Sequence, residues 1–344
     1  MVTARILVTG GGGVVGGAIV AALNARGDTV RSFARGDYPQ LRVAGVETIR
    51  GDIADLPAVE RAVAGCDAVI HVAARSGFGV DARPFVSANV VGTANVIAAC
   101  RRHGVRALVH TSTPSVVHTG TSIEGGDETL PYATRYDAPY PATKARAEQL
   151  VLAANDTALA TTALRPHLVW GPRDTRLTAH LLARARARRL WLVDHGRAVI
   201  DATYIDDAAS AHVLAVDALL AHGVQHPVAG RPVFIASGQP LPIATLVNGV
   251  LAAAGLPAVR RSIPLAAAVR AGAACETLWR VTRRTSEPPM TRFMARQLAT
   301  SHWFDLTAAR RDLGYTPSVT IDEALRRLAA ALRESTAPVP RRTA

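Results

Sequence analysis

The sequence has 344 residues, of which 49% are hydrophobic and 19% charged, a composition typical of a globular chain with one large or two ordinary domains. No apolar run approaches the roughly 18 residues that a membrane-spanning helix needs, and the N-terminus does not resemble a signal peptide. The net charge of +12 suits anionic ligands, but with 5% aromatic residues and scattered arginines we predict no nucleic-acid partner.

Three cysteines, Cys66, Cys100 and Cys275, are far apart in the chain and lack the spacing of metal ligands. The histidines also stand singly. We therefore expect free thiols in a reducing cytoplasm and no bound metal.

The first predicted strand, residues 6–8, runs into a cluster of glycines, and a helical pattern over residues 18–26 follows. This order favours dinucleotide binding, because glycines allow close backbone approach and a helix N-terminus favours a pyrophosphate. The alternative is a flexible glycine loop without a ligand. The residues predicted to bind the cofactor here are Gly10, Gly12, Gly13, Val14, Val15 and Gly16.

The second predicted strand, residues 29–33, ends where dinucleotide-binding folds place an acidic residue against the ribose 2′-hydroxyl. Here that position is Ala34, and Arg35 follows it. Because no carboxylate competes, the Arg35 guanidinium can bind a 2′-phosphate in bidentate fashion, which predicts NADP(H) over NAD(H). The alternative is that Arg35 is solvated.

The third predicted strand, residues 46–50, precedes Asp52 and Ile53, which we assign to the cofactor site. The Asp52 carboxylate suits an adenine amino group, or it caps the helix that begins near Leu56. Both interpretations of Asp52 stay open.

A fourth predicted strand, residues 68–72, leads into Ala73 and Ala74, whose small side chains leave room for the cofactor. The helical pattern over residues 85–102 carries Asn89, which is also assigned to the cofactor site. These positions extend the predicted site along the same edge of the sheet.

A fifth predicted strand, residues 107–110, opens onto the hydroxyl-rich residues 111–115. Strands that alternate with helices in this way predict an α/β fold of the Rossmann type, with a doubly wound parallel sheet. Ligands collect at the carboxyl ends of such strands, which brings these hydroxyls beside the glycine turn.

Tyr140 precedes Lys144 by four residues, and Lys144 is the only lysine in the chain. On a helix this spacing places the phenol and the ammonium on one face. A nearby ammonium favours the phenolate and lowers the tyrosine pKa from about 10, so Tyr140 can exchange a proton near neutrality. The alternative is the start of a surface helix with a solvated lysine.

Taken in order, these motifs resemble those of the extended short-chain dehydrogenases/reductases over nearly the whole chain. Residues 165–172 and 204–208 are similar to later landmarks of that family. Within it, the chain resembles the 3β-hydroxysteroid dehydrogenase branch. Residues 111–116, 138–145 and 275–279 resemble bacterial 2-alkyl-3-ketoalkanoate reductases of olefin and β-lactone biosynthesis.

The resemblance implies that Tyr140 is the proton donor and that Lys144 binds the cofactor ribose and tunes the tyrosine. The catalytic serine of the family maps onto the hydroxyl-rich stretch, best onto Thr113, with Ser112 as its neighbour. A threonine there is a departure from the family pattern, and the choice among Thr113, Ser112 and Ser115 stays open.

The resemblance also assigns Pro166 to the cofactor site. It implies a homodimer that pairs residues near 85–102 and 140–154 around a two-fold axis. Contact with other enzymes of the same pathway would fit such a role.

We divide the chain into an NADP-binding Rossmann domain, residues 1–170, and a smaller, mixed and mainly helical substrate-binding region, residues 171–334. Residues 195–240 partly return to the first domain, and the basic residues 335–344 are expected to form a disordered tail. In the C-terminal half, helices are predicted at 177–189, 206–220, 242–254 and 264–281, and strands at 190–193 and 233–236.

The expected function is NADPH-dependent reduction of a lipid-like 2-alkyl-3-keto acid. A 3β-hydroxysteroid dehydrogenase/isomerase would share the same motifs and differ in its substrate pocket. A nucleotide-sugar epimerase is disfavoured by Ala34 and Arg35, since such enzymes hold NAD. A non-catalytic dinucleotide-sensing protein would need neither Tyr140 nor Lys144.

Overall fold

A computed structural model describes residues 4–172, 174 and 177–336 of the chain. Residues 337–344, which make up most of the predicted tail, lie outside this description. In chain order the strands are β1 (Arg5–Thr9), β2 (Thr29–Ala34), β3 (Glu47–Arg50), β4 (Ala68–His71), β5 (Ala107–Thr111), β6 (Ile123–Gly126), β7 (Ala160–Pro166), β8 (Leu192–Val193), β9 (Val199–Ile200), β10 (Pro232–Ile235), β11 (Leu241–Pro242), β12 (Ser262–Ile263) and β13 (His302–Phe304).

Helices connect most of the strands and flank the sheets. They are α1 (Val14–Arg26), α2 (Pro39–Val43), α3 (Leu56–Val63), α4 (Arg83–Phe85), α5 (Gly92–Arg102), α6 (Pro139–Ala153), α7 (Leu177–Arg186), α8 (Ile205–His222), α9 (Ile243–Ala253), α10 (Leu265–Val281), α11 (Arg292–Gln297), α12 (Thr307–Leu313) and α13 (Ile321–Thr336). A π-helical segment, Val86–Val91, joins α4 to α5.

The main sheet is parallel throughout, in the order β3-β2-β1-β4-β5-β7-β10. The chain order reverses between β1 and β4. Crossovers on the two sides of this point diverge, which leaves a crevice at the carboxyl ends of the strands where such folds bind ligands. Together with the smaller mixed sheet described below, this topology confirms the predicted fold class.

Helices cover both faces of the main sheet. Successive residues of a strand point to opposite faces, so each strand contributes to two cores. Ile6 and Val8 of β1 join a core with the apolar faces of α1 and α8. Leu7, between them, joins a second core with Val59 of α3 and Val96 of α5. A strand buried on both faces is expected to be largely apolar, as β1 is at Ile6, Leu7 and Val8; its last residue, Thr9, is buried with its hydroxyl hydrogen-bonded.

A second, mixed sheet has the order β11-β9-β13-β6. In it β13 runs parallel to both β6 and β9, and β11 runs antiparallel to β9. A third core lies beside it, formed by Trp170 with residues of α7, α9 and α13. The C-terminal half is thus built around its own apolar cluster, while β10 returns to the edge of the main sheet.

Several elements differ from the predictions. α1 begins at Val14, four residues before the predicted start. Its first turn includes Gly16 and Gly17, and the helix is held by its buried residues Ile19, Val20 and Leu23. The helix predicted over residues 85–102 is interrupted by the π-helical segment, which helical periodicity does not distinguish. The strand β7 and the individual strands of the mixed sheet were not predicted.

No helix within the described ranges is long and apolar enough to cross a membrane. Among the same residues, no group of three or more histidine, cysteine or acidic side chains is placed to hold a metal ion.

Candidate active site

The turn after β1 requires glycine at two positions. Gly10 has a φ of +72°, and a Cβ atom there would lie 3.0 Å from the backbone of Ala73. A Cβ atom on Gly16 would lie 2.2 Å from the carbonyl oxygen of Gly10, far closer than any real contact. The turn is therefore a narrow cradle of backbone, with α1 packed against it.

The N-terminus of α1 opens into this cradle. Its N-cap is Gly13, so no side chain caps the amides of the first turn, to which Val14 and Val15 belong. The ring of Tyr38 covers Gly12, where a Cβ atom would lie 2.1 Å from the ring. A nicotinamide dinucleotide fits this arrangement, because uncapped amides at a helix N-terminus bind a pyrophosphate.

The end of β2 borders a cavity of about 100 Å³. Arg35 is exposed beside it, and Arg50 Nε donates a hydrogen bond to the Arg35 carbonyl oxygen at 2.9 Å. Asp37 also lines the cavity, but the paired Arg42 guanidinium holds the pKa of that carboxyl below its usual range. The lining residues are Ser32, Ala34, Gly36, Asp37, Tyr38, Arg42, Thr48, Ile49 and Arg50.

Arg42 and Arg50, not Arg35, thus supply the guanidinium groups of the cavity wall. The prediction considered the end of β2 alone. Arg50 belongs to the neighbouring strand, and its proximity follows from the pairing of Ala34 with Arg50 between β2 and β3.

Asp52 is exposed after β3, and its Oδ1 accepts a hydrogen bond from the Ala54 amide at 2.9 Å. The interpretation of Asp52 as a helix cap was wrong, because the N-cap of α3 is Asp55, which makes no side-chain cap. Ile53 is buried, and its side chain fills the space that a Cβ atom on Gly92 would need.

Ala73 and Ala74 follow β4 as predicted, with Ala73 half-buried and Ala74 exposed. The Ala73 amide donates to Thr9 Oγ1 at 3.1 Å, which fixes this segment against the end of β1. Pro166 is the last residue of β7 and is buried beside β10. The glycine turn, the alanines, the hydroxyl-rich turn and Pro166 therefore share one edge of the main sheet.

Asn89 lies in the π-helical segment with a fully buried side chain. Its Oδ1 accepts from the Arg75 amide at 2.7 Å, and its Nδ2 donates to the Arg75 carbonyl oxygen and to Thr143 Oγ1, each at 2.9 Å. In this structure its amide group ties the loop after β4 to α6, close to the predicted cofactor path.

Lys144 is only 2% exposed on α6. Its Nζ donates to the carbonyl oxygen of Thr111 at 2.6 Å and lies 2.9 Å from His110 Nε2. Burial lowers the pKa of Lys144 from 10.5 to about 7, against an opposing effect of the Glu148 carboxylate. A buried ammonium near its titration point is the property expected of a group that assists proton transfer.

Tyr140 is half-buried in the first turn of the same helix, one turn before Lys144. Pro139 begins the helix, where its missing amide hydrogen is not needed. Thr143 Oγ1 donates to the Pro139 carbonyl oxygen at 2.8 Å. The phenol and the ammonium therefore share one face of an anchored helix start.

The three candidate hydroxyls after β5 differ in their surroundings. Thr113 Oγ1 lies 3.1 Å from Ser115 Oγ and accepts a hydrogen bond from the Ser115 amide at 3.3 Å. Ser112 Oγ instead donates to Glu148 Oε2, and the Ser112 amide donates to the Leu164 carbonyl oxygen at 2.6 Å. The hydroxyl hydrogen of Ser112 is thereby committed to a buried carboxylate.

Glu148 is the residue of this site that sequence reasoning missed. Its carboxylate is fully buried, pairs with Arg165 Nη2 at 2.6 Å and accepts from the Tyr132 hydroxyl at 2.8 Å. A sequence signal existed, since Glu148 follows Lys144 by four residues and therefore lies on the same helix face. His110, which contacts Lys144, was also missed, because it is 34 residues from Lys144 in sequence and no helical or strand spacing relates the two.

A glycine cradle at the crevice of a doubly wound sheet, beside a tyrosine and a buried lysine on one helix, defines a short-chain oxidoreductase that uses a nicotinamide dinucleotide. The model of the 3-beta hydroxysteroid dehydrogenase/isomerase family matches residues 7–265. The chain belongs to that family, which confirms the resemblance found in the sequence.

Relatives of known name narrow the role. A 2-alkyl-3-oxoalkanoate reductase of Stenotrophomonas maltophilia is 54% identical, over 95% of this chain and 98% of that protein. One of the same name from Shewanella oneidensis is 43% identical, over 94% of this chain and 85% of that protein. A 3-beta-hydroxysteroid dehydrogenase of Mycolicibacterium neoaurum is 34% identical, over 93% and 89%. These relatives support a ketoreductase role.

Solved structures agree on the fold. The crystal structure of gox2253 superposes with a TM-score of 0.77 at 25% identity, over 97% of this chain and 99% of that one. The UDP-glucose 4-epimerase of Thermotoga maritima superposes with a TM-score of 0.74 at 21% identity, over 97% and 100%. At that identity the second likeness concerns the fold alone.

Proposed function

We propose that this protein reduces a 2-alkyl-3-keto acid to the 2-alkyl-3-hydroxy acid with NADPH, and that Tyr140 is the proton donor. The observation that carries the chemistry is the buried Lys144 ammonium, one turn after Tyr140 on α6 and next to the hydroxyl-rich turn. The substrate class is taken from the relative that is 54% identical over nearly its whole length.

When bound, the cofactor supplies a hydride to the carbonyl carbon of the substrate. Tyr140 gives its phenolic proton to the substrate oxygen as negative charge develops there. Lys144 favours the resulting phenolate and keeps the proton mobile. Thr113, whose hydroxyl has Ser115 as its one side-chain partner within the described part of the chain, donates a hydrogen bond to the same oxygen. Ser112 orients this turn through Glu148.

The cofactor would be held along the carboxyl edge of the sheet. The cradle formed by Gly10, Gly12, Gly13 and Gly16, with Val14 and Val15, would hold the pyrophosphate, and Asp52 with Ile53 would hold the adenine. Ala73, Ala74, Asn89, Lys144 and Pro166 would hold the nicotinamide half. Arg35, with Arg50 beside it, would bind the 2′-phosphate that distinguishes NADPH.

A steroid substrate is the second candidate, since the chain belongs to the 3-beta hydroxysteroid dehydrogenase/isomerase family and a steroid dehydrogenase is among its relatives. Both candidates use the same proton donor and differ in the molecule that occupies the pocket. Incubation with NADPH and either a synthetic 2-alkyl-3-keto acid or a 3-ketosteroid, with products identified by mass spectrometry, decides between them. Preferential turnover of the steroid would overturn the proposed substrate.

The proton donor is tested by Tyr140→Phe, which should abolish turnover of the preferred substrate and leave NADPH binding nearly intact. Lys144→Arg should also lose most activity, because a planar guanidinium cannot replace a compact ammonium in a buried position. Near-normal turnover of either variant would overturn the mechanism.

We place the reaction in the cytoplasm, which the three unpaired cysteines favour. The same proposal includes a homodimer formed through residues near 85–102 and 140–154. Contact with enzymes that supply the keto acid or consume the hydroxy acid would keep a poorly water-soluble substrate from solvent.

A further inference from the structure

We propose that His110 is a positioning residue of this site, which accepts a hydrogen bond from Lys144 and thereby fixes the place and the charge of its ammonium. This inference rests on the proposed function, in which Lys144 assists the proton donor. It concerns a buried side chain at the end of β5 to which neither the sequence motifs nor the relatives' names assign a role.

The contact is close and shielded from water. His110 Nε2 lies 2.9 Å from Lys144 Nζ, and His110 is 1% exposed. Lys144 has a second fixed acceptor, the Thr111 carbonyl oxygen, at 2.6 Å. Two consecutive residues of β5 therefore hold two of the three ammonium hydrogens and leave the third for the cofactor or the phenol.

The hydrogen positions follow from the chemistry of the two groups. While Lys144 is an ammonium it can only donate, so in that state His110 Nε2 is the acceptor and the ring hydrogen is on Nδ1. Within the described residues, His110 Nδ1 is buried without a hydrogen-bond partner. A buried N–H group without a partner is destabilising, and it persists where the rest of the side chain makes a compensating contact. For His110 that contact is the one with Lys144.

The surrounding groups keep His110 neutral. Burial and the nearby Lys144 lower its pKa well below 6.5, with smaller effects from His71 and His212. His71 faces His110 from the adjacent strand with the ring centroids 5.2 Å apart, and His212 of α8 contacts the Thr111 hydroxyl at 2.8 Å. Glu148 on α6 provides the negative charge that favours the ammonium. His110 therefore offers a lone pair to Lys144 throughout the neutral range.

The single lysine of the chain makes a direct measurement feasible. Protein grown with lysine carrying ¹³C at the ε-carbon gives one lysine signal, and its titration reports the Lys144 pKa without cofactor or turnover. In the wild type this signal should titrate near pH 7, as burial predicts. Loss of the acceptor disfavours the ammonium, so in His110→Leu the Lys144 signal should titrate about one to two pH units lower than in the wild type.

Two polar variants test the geometry of the contact. The amide of His110→Gln reaches the position of Nε2 and should restore titration near the wild-type value. The amide of His110→Asn reaches only the position of Nδ1, so this variant should behave like His110→Leu. If the leucine variant fails to fold, the comparison of glutamine with asparagine decides alone. Equal titration of both variants and the wild type would overturn the proposal.

Activity provides an independent readout. The alkaline limb of the kcat profile should move to lower pH in His110→Leu and His110→Asn, by the same shift as the lysine titration. His71→Leu removes an equally buried histidine whose hydrogen bonds are with Thr9 and Thr93 and not with Lys144, and the alkaline limb of this variant should stay in place. If Tyr140→Phe is inactive while His110→Leu matches the wild type, only the role of His110 fails. If Tyr140→Phe is active, the proposed function itself fails.

Discussion

Glu148 and Arg165 form an ion pair in the interior of the protein, with Arg165 Nη2 2.6 Å from Glu148 Oε1 and both side chains at most 2% exposed. The carboxylate also accepts from Ser112 and Tyr132, and the guanidinium lies over the Tyr132 ring and over that of Phe234. The pair joins α6 to β7, and through Ser112 to β5. It therefore sets the position of the helix that carries Tyr140 and Lys144.

Breaking this pair should be costly. Glu148→Gln leaves the Arg165 charge buried without a counter-charge, and we expect a loss of about 3–5 kcal/mol in the free energy of unfolding, measured by urea denaturation. Glu60→Gln, which removes an exposed pair with Arg102, is the matched control and should cost less than about 1 kcal/mol. Equal losses in the two variants would contradict this account of the buried pair.

The glycine turn offers a matched pair of substitutions on one helix. In Gly16→Ala the new methyl group would lie 2.2 Å from the Gly10 carbonyl oxygen, so the cradle must open and NADPH affinity should fall at least tenfold. In Gly17→Ala the methyl group would lie 3.5 Å from the Gly11 carbonyl oxygen, an ordinary contact. This variant should keep NADPH affinity and gain up to about 1 kcal/mol of stability. Fluorescence titration with NADPH would show the difference.

The preference for NADPH should depend on the arginines at the ends of β2 and β3. A charge-assisted contact with the 2′-phosphate contributes about 1.5–3 kcal/mol, which corresponds to a ten- to hundredfold preference. Because Arg35 is exposed, we expect Arg35→Ala to raise the NADPH Michaelis constant by about tenfold, with little effect on NADH. If only Arg50→Ala has this effect, the assignment to Arg35 is wrong. Arg106 does not line this cavity, so Arg106→Ala is the control and should leave both Michaelis constants unchanged.

Acid should unfold the protein at an unusually high pH. Burial lowers the pKa of His71 and His167 to about 3 and of His118 and His212 to about 4. The unfolded chain binds these protons near pH 6.5, so stability is complete above that value and is lost as pH falls towards 4. Each such group contributes a slope of about 1.4 kcal/mol per pH unit.

Urea denaturation at several values between pH 7.5 and 5 measures this slope. His212→Gln should reduce it by about one proton, although the variant also loses the contact with Thr111. His180→Gln, at an exposed histidine, is the control substitution. If stability changes with pH by the same slope in the wild type, His212→Gln and His180→Gln, His212 is not neutral and buried in the folded protein.

The proposed homodimer can be disrupted at its predicted face. Val86 and Val91 are 42% and 44% exposed in the π-helical segment, an apolar surface on the helix expected to pair with its copy. Val91→Arg should convert the dimer into a monomer, which light scattering at micromolar protein concentration would detect as a halved mass. Val43→Arg, at a valine that is 90% exposed on α2, should leave the mass unchanged. A monomeric wild type would contradict the proposal.

Local patterns predicted the parts of the fold that local interactions determine. The five strands predicted in the first half lie within one residue of the observed ones at each end. The apolar runs of β1, β4 and β5 are the plainest local signals among them. The face shared by Tyr140 and Lys144 followed from helical spacing alone. The family and the fold class were likewise confirmed.

Features that depend on distant partners could not be predicted in this way. The strands of the mixed sheet have two to four residues each and form only by pairing across the chain. The different surroundings of the hydroxyls could not be predicted either, because Ser112 and Thr113 are adjacent in sequence, and only the folded chain brings Ser112 to Glu148 and Thr113 to Ser115. The position of Arg50 in the cavity wall could not be predicted without knowledge of the register between β2 and β3.

The pairing of β6 with β13 has a consequence for how the protein is made. The segment that follows Thr113 and Ser115 completes its contacts through β13 and through His118, whose Nε2 bonds Thr300 from 182 residues away. At roughly 5–20 residues per second, a ribosome needs about 10–40 s to synthesise the stretch between them. During that time the nascent chain carries its glycine turn, its tyrosine and its hydroxyl-rich turn, but the segment from His118 to β6 lacks these partners. That segment therefore reaches its final contacts late in translation, after β13 has emerged.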